Sequence, residues 1–301
     1  MRIKKRDKNY IEDTRSDKIL RCVNGVLVAL AFFIFAFPIY YIIISSISDP
    51  TAVAHGEVTF LPVGFNLEGY KAILEYKDIW VGYGNSIFYT VLGTVVSVVM
   101  LVLYAYPISR KDFKAAKLMT VLLVITMLFQ GGIIPSYLLI KDLGMLDSFW
   151  SLILPKCLIP TYVIMCRTYF QTSIPNELQE AAMLDGCGHM RYLLSIVIPL
   201  SLPMIAVMVL YSAVNYWNSY FDALLYLSDR AKYPLQVILR EILILNESIM
   251  SESGAVAEEL KNMVYVVRYG VIIVSSLPLL ILYPFVQKHF VKGVMIGAVK
   301  G

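Results

Sequence analysis

Residues 173–199 read SIPNELQEAAMLDGCGHMRYLLSIVIP, and the reading of this stretch decides the fold. Pro175 suits the first turn of a helix, where a missing N–H is no loss and the fixed φ is already helical. Glu177 and Glu180 favour the positive N-terminal half of the helix dipole, and Gly186 supplies the left-handed stop that ends a helix. A short helix of about two to three turns is predicted between them. After Gly188 a second helical run, His189 to Ile198, leads to Pro199 and Pro203, which predict a bend as the chain leaves the loop. Arg191 gives this run a cationic flank suited to a membrane boundary.

The chain turns apolar on both sides of the stretch. Its 301 residues are 58% hydrophobic and 16% charged, with mean hydropathy +0.68; soluble proteins carry about 45 to 50% and about 25%. A water-soluble domain is excluded. Six blocks are each about long enough to cross hydrocarbon: Val23 to Ile47, Ser86 to Ile108, Leu118 to Ile140, Phe149 to Cys166, Leu202 to Leu227 and Gly270 to Val286. They are continuously apolar, which selects helices over the alternating strands of a barrel. The first and fifth run long and the last short, so tilted or broken helices are predicted. The expected fold is an all-α membrane protein with six transmembrane helices.

Lysine and arginine set the orientation. The basic N-terminus (1–22), the loop with Arg110, Lys111, Lys114 and Lys117, and the tail (287–301) with Lys288, Lys292 and Lys300 all fall on one side of the six-span domain (23–286). Both termini are therefore expected in the cytoplasm. The net charge of +4 sits mostly in these short segments, beside membrane lipid headgroups, and points to no nucleic acid. No A-x-A site follows the first block, which reads as an uncleaved anchor.

Cys22, Cys157, Cys166 and Cys187 read as packing residues, and His55, His189 and His289 lie in separate loops, so no metal site is readable. No Walker A sequence occurs; ATP-driven work by that means would come from a partner chain. The first external segment, Asp49 to Asn85, is broken by Pro50, Gly56, Pro62 and Gly64 and is expected to fold over the outer mouth. The second, residues 228–268, contains an amphipathic stretch from Leu235 to Leu245. It is either a functional loop or a helix lying on lipid. The Pro175 to Gly186 helix is likewise open to two readings. It is a rigid lever for a soluble partner, with Ala181 and Ala182 allowing close approach and Glu180 offering a charge to an arginine, or an ordinary interfacial helix.

The motif Glu180-Ala181-Ala182, three residues, Gly186, nine residues, Ile196-Val197-Ile198-Pro199 resembles the EAA motif of ABC importer permeases, with Ile198 where leucine is usual. Tyr216 to Phe221 leading to Leu225-Tyr226-Leu227, Tyr233 to Gln236, Asn85-Ser86 and the ending Phe290 to Gly301 resemble carbohydrate permeases of the maltose type, specifically the maltose G subunit. The ending resembles permeases paired with lipoprotein-type binding proteins for complex oligosaccharides.

This resemblance implies a type I ABC importer permease fold in the bacterial plasma membrane, and a chain that does no chemistry. It implies a coupling loop (171–191) whose helix, Glu177 to Gly186, seats in an ATPase subunit, with Glu177, Glu180, Ala181, Ala182, Asp185, Gly186, Ile196 and Pro199 as the coupling residues. The implied partners are a second homologous permease forming a heterodimer, two ATPase subunits holding ATP and Mg, and an external solute-binding lipoprotein that delivers carbohydrate. No cofactor is expected on this chain. Transport would proceed by alternating access. The tail from Phe290 would reach the ATPase dimer, and the 228–268 loop would enter the binding protein's sugar cleft.

Polar groups inside a span normally face a cavity or a partner. Lys156 in the fourth block and Asp222 in the fifth stand out. Asn215, Trp217, Asn218, Tyr220 and Asp222 together offer aromatic faces and hydrogen-bonding groups for a sugar, with Lys156 nearby in the translocation path. Interfacial aromatic belts, interhelical hydrogen bonds and lysine snorkelling account for the same residues. Other cargo, such as glycerol phosphate, and a secondary transporter remain the alternatives; an intramembrane hydrolase would need a histidine base within a span, and none is there.

Overall fold

The computed structural model describes residues 14–129, 131–250 and 266–281 together with Pro284. The expectations for the first thirteen residues, for the 251–265 part of the second external loop and for the tail from Phe290 lie outside the described residues. Every regular element among the described residues is helical. The chain divides into two units, residues 1–70 with 254–273 and residues 71–253 with 274–301.

In the first unit, α1 (Arg15–Ser46) starts eight residues before the predicted block. Thr14 and Asp17 form a reciprocal capping box that satisfies two N–H groups and sets this start. Most of its apolar side chains, from Ile19 to Ile43, are exposed, as suits a helix solvated by lipid or covered by another chain. At its far end α2 (Pro50–Ala54) is capped by the Asp49 carboxylate, which accepts from the N–H groups of Thr51 and Ala52. Ile44, Ala52, Val53, Val58 and Val266 form the small core there. Tyr70 donates to or accepts from Ser46 at 2.8 Å, drawing the polar segment back onto the end of α1. The chain leaves this unit through α3 (Glu68–Glu75).

In the second unit, α4 (Lys77–Ser109) is the central pillar and begins nine residues before the predicted block. The extension is held by packing: at Gly82 a Cβ would lie 3.0 Å from the Leu235 Cα, so α14 (Leu235–Met250) lies directly against it. The third block is two helices, α5 (Ala116–Leu128) and α6 (Ile133–Asp142), separated at Gly132, whose φ of +84° favours glycine.

The fourth block is broken as well. After α7 (Trp150–Ile153) comes a 3-10 turn, Leu154–Lys156, and then α8 (Pro160–Ser173), which runs past the predicted end at Cys166. Ile159 before Pro160 is extended, as the residue preceding proline tends to be. The short helix α9 (Asn176–Leu184) follows.

The second helical run occupies residues 189–200 in three pieces, α10 (His189–Tyr192), a π turn (Leu193–Val197) and α11 (Ile198–Leu200). The wider turn is where Pro199, lacking an N–H and clashing with the carbonyl four residues back, would break a regular α-helix. α12 (Leu202–Trp217) then departs at 83°, the bend predicted from Pro199 and Pro203. The fifth block also breaks: α12 ends at Trp217 and α13 (Phe221–Tyr226) resumes after three residues. The last described helix is α15 (Val266–Ile281).

By length and composition α1 and α4 each suffice to cross a membrane, and the bent pairs α5–α6 and 189–200 with α12 qualify when each is taken together. The core of the second unit joins α4, α8 and α12 through Tyr106, Ile108, Val163, Phe170, Met204 and Met208. Gly93 lets α12 approach α4 closely, because a Cβ there would sit 2.7 Å from the Tyr216 ring.

Candidate functional site

The site is built from two clusters in the second unit. In the first, α9 is closed by a Schellman arrangement: the N–H of Gly186 donates to Met183 O at 3.0 Å and that of Cys187 to Ala182 O at 2.8 Å. Gly186 has φ +77°, and nothing lies within 4 Å of where its Cβ would be, so glycine is required for its backbone angle and not for space. Gly186→Ala is expected to cost about 1 kcal/mol, or about fivefold in the population of the closed turn. Amide hydrogen exchange at Cys187 reads this directly, and unchanged exchange would contradict it.

Glu177, Glu180, Ala181 and Asp185 are exposed, and Leu184 is 90% exposed, with Leu178 and Met183 adding further exposed apolar surface to the helix. Glu177 and Glu180 line a cleft of about 420 Å³ with Asp112, Asn176, Met183 and Lys111. Its excess of carboxylates suits a basic partner group. Glu180 makes no hydrogen bond or ion pair with the described residues.

Ala182, expected beside Ala181 on the partner-facing side, is 8% exposed and packs into the core; the one-residue step of about 100° turns it inward. Ile196 is half-buried against the same core, and Pro199 is exposed beyond the π turn.

The sequence reading missed what anchors α9. Arg110, counted only as a topology signal, is 7% exposed, with its guanidinium carbon 4.9 Å and 5.0 Å from the ring centroids of Tyr106 and Tyr192. It donates through Nη1 to Gln179 Oε1 on α9. Arg167 Nε and Gln171 Nε2, both on α8, donate to the terminal carbonyls of α4 at Ile108 and Ser109, at 3.1 Å and 3.3 Å. α9 is thus tied through Arg110 to the end of α4, which α8 holds in turn. The cue available in the sequence was Tyr106 one helical turn before Arg110.

In the second cluster the breaks of the fourth and fifth blocks meet. Lys156 Nζ lies 2.7 Å from Asp222 Oδ2 and 2.7 Å from Ser219 Oγ, and 5.5 Å from the Tyr216 ring centroid. Tyr216 OH donates to Ile153 O at 3.0 Å and is 2.9 Å from Ser97 Oγ. At both breaks the backbone leaves the helix, and polar side chains gather around it.

The other expected path residues are dispersed around this centre. Trp217 is 3% exposed, with Nε1 donating to Ser275 O and its ring edge-on to Tyr83, so its faces are covered. Asn218 is exposed but bonds back to Val214 O, Asn215 is half-buried, and Tyr220 lies under the Arg240 guanidinium at 4.4 Å.

The amphipathic stretch is α14, and its first turns are no lone helix on lipid: Leu235, Val237 and Ile238 are buried. Asn85 Nδ2 donates to the carbonyls of Ala231 and Tyr233, and Ser86 Oγ accepts from the N–H of Leu235 at 2.8 Å. Two motif stretches far apart in sequence therefore hold each other.

Asp147, in the loop before α7, clamps the same region. Its φ is +56°, its carboxylate accepts from the N–H groups of Ser228 and Asp229, and Lys232 Nζ lies 2.8 Å away. The Lys232 hydrogen bond, then those backbone donors, hold its carboxyl down at about 2. A lowered folded-state value stabilises above the ordinary value near 3.8 and is lost as pH falls toward 2. Thermal unfolding from pH 7 to 2 is expected to show a drop below pH 4 that Asp147→Asn flattens. Identical profiles would show that the clamp does not matter.

A family model described as "Binding-protein-dependent transport system inner membrane component" matches residues 79–296. The polygalacturonan/rhamnogalacturonan transport system permease protein YtcP of Bacillus subtilis (strain 168) is 39% identical, over 93% of this chain and 97% of its own. Protein LplC of the same organism is 37% identical, over 97% and 98%. A solved chain from a bacterial ABC transporter involved in the import of the acidic polysaccharide alginate superposes with TM-score 0.83 at 34% identity, covering 93% of this chain and 100% of that one.

Proposed function

The chain belongs to the family of binding-protein-dependent transport system inner membrane components, and on that premise we propose that it imports a carbohydrate oligomer by alternating access, driven through α9. As a family member it is a multi-pass transport subunit of the bacterial plasma membrane with an all-helical type I ABC permease fold. ATP hydrolysis belongs to a separate subunit. In the proposed assembly it crosses the membrane six times with both termini cytoplasmic and forms a heterodimer with a second homologous permease. Two ATPases holding ATP and Mg lie beneath, and an external solute-binding lipoprotein delivers the cargo.

The observation that carries the reading is the geometry of α9. Its inner side is tied to α4 by Ala182 and by Gln179 with Arg110, while its outer side presents Glu177, Glu180 and Leu184. A push on that side moves the ends of α4 and α8 as one body. The Lys156, Asp222 and Ser219 cluster, with Asn215, Trp217, Asn218 and Tyr220 around it, is the proposed lining of the path on this subunit. The acidic polysaccharide named with the solved structure makes uronate-bearing oligomers the first cargo to test.

The test is purification of the tagged full chain from native membranes in mild detergent, with mass spectrometry of co-purifying chains and an ATPase assay. Recovery of a second permease and an ATPase whose activity rises with an oligosaccharide-loaded binding protein is the expected result. Solute transport by the chain without any ATPase would overturn it.

A further inference from the structure

Beside the acid-lined cleft on α9 lies a second of opposite character, about 470 Å³ in volume, where α4 ends, α5 begins and α8 passes. Arg110, Lys111, Lys114, Lys117 and Arg167 line it, and no carboxylate does. Among the described residues none of these five cations forms an ion pair. Five converging cations repel one another, and a strictly topological role would be served equally by side chains spread into water.

Two observations mark this as a built site. Arg110 is more than nine-tenths buried, yet its Nε and Nη2 have no hydrogen-bond partner among the described residues. Buried guanidinium N–H groups left unpaired are costly unless something accepts from them. The first turn of α5 also takes no side-chain cap, because its N-cap is Ala115, although the N–H of Ala116 already donates to the Phe113 carbonyl at 3.0 Å.

The walls point to the kind of anion. Phe113 and Val121 line the same cleft, and α5 leads away from it with Leu118, Leu122 and Ile125 exposed. A cationic floor at the end of a helix long enough to cross the membrane, opening onto an apolar helix face, matches a phosphodiester headgroup whose acyl chains run along α5. We propose that this cleft binds the phosphate headgroup of an anionic membrane phospholipid. Arg110, which lines this cleft, is also the residue that tethers α9. The proposal stands independently of the cargo.

The test uses the full chain purified with its co-purifying partners in mild detergent and placed in bilayer discs of phosphatidylglycerol mixed with phosphatidylcholine. Native mass spectrometry then counts the lipids retained after detergent washing. Phosphatidylglycerol is expected to be retained at least about tenfold over phosphatidylcholine. Lys114→Gln with Lys117→Gln is expected to lower that retention by about twenty-fivefold, since each cation near an anionic headgroup contributes about fivefold. Both lysines are exposed, so the fold should survive, and Lys114→Arg with Lys117→Arg should restore retention. Equal retention of the two lipids, or retention unchanged in the glutamine variant, would overturn the site. Displacement by inorganic phosphate as effective as by short-chain phosphatidylglycerol would overturn the lipid as its source.

Discussion

Asp222→Ala is expected to lower the stability of the chain by about 2 to 3 kcal/mol, whereas Lys156→Met combined with Asp222→Leu is expected to recover most of that loss. Removing one member of a partly buried ion pair strands the other charge, which costs about 2.5 to 3.5 kcal/mol where the surroundings are apolar. Side-chain exposures of 17% for Lys156 and 39% for Asp222 place the cost at the lower end. Replacing both removes the charges together, so nothing is left uncompensated. Unfolding in detergent of the wild type, Lys156→Met, Asp222→Leu and their combination gives the coupling energy; additive single effects would show that the 2.7 Å contact carries no weight. The double variant also separates structure from transport. If the cluster lines the path, transport falls even where stability has returned, and full transport in the stable double variant would remove Lys156 and Asp222 from the path.

Glu180→Lys is expected to leave insertion and stability unchanged while reducing recovery of the ATPase subunit and its stimulated activity by about tenfold or more. Glu180 is exposed and lacks partners among the described residues, so its replacement disturbs no contact within the chain. It does reverse a charge in the acid-lined cleft, and like charges across an interface weaken binding steeply. Arg110→Ala makes the contrast. That change should destabilise the chain, because it removes the only cation between Tyr106 and Tyr192 among the described residues and strands Gln179. Wild-type ATPase recovery with Glu180→Lys would refute the coupling role of α9.

The parts of this protein legible in its sequence are those governed by local physics. The length of an apolar block, the φ of Pro175 and Gly186, and the missing N–H of Pro199 act within a few residues. The capped α9 and the 83° bend were accordingly readable in advance. Helix starts were less so: α4 reaches back to Lys77 because Gly82 lets α14 press against it, a contact some 150 residues away in sequence.

Sequence alone determined the helical membrane character, the short helix between Pro175 and Gly186, and its family signature. Tertiary structure alone decided that Ala182 faces inward, that Arg110 is the tether of α9, and that Lys156 meets Asp222. Composition shows that a charge lies in an apolar block, but only packing brings its partner there, 66 residues on in this case. The physical reason is range: backbone angles and hydrophobic length are properties of neighbours along the chain, while pairing, burial and the sign of a cleft belong to whichever segments the fold brings within a few ångströms.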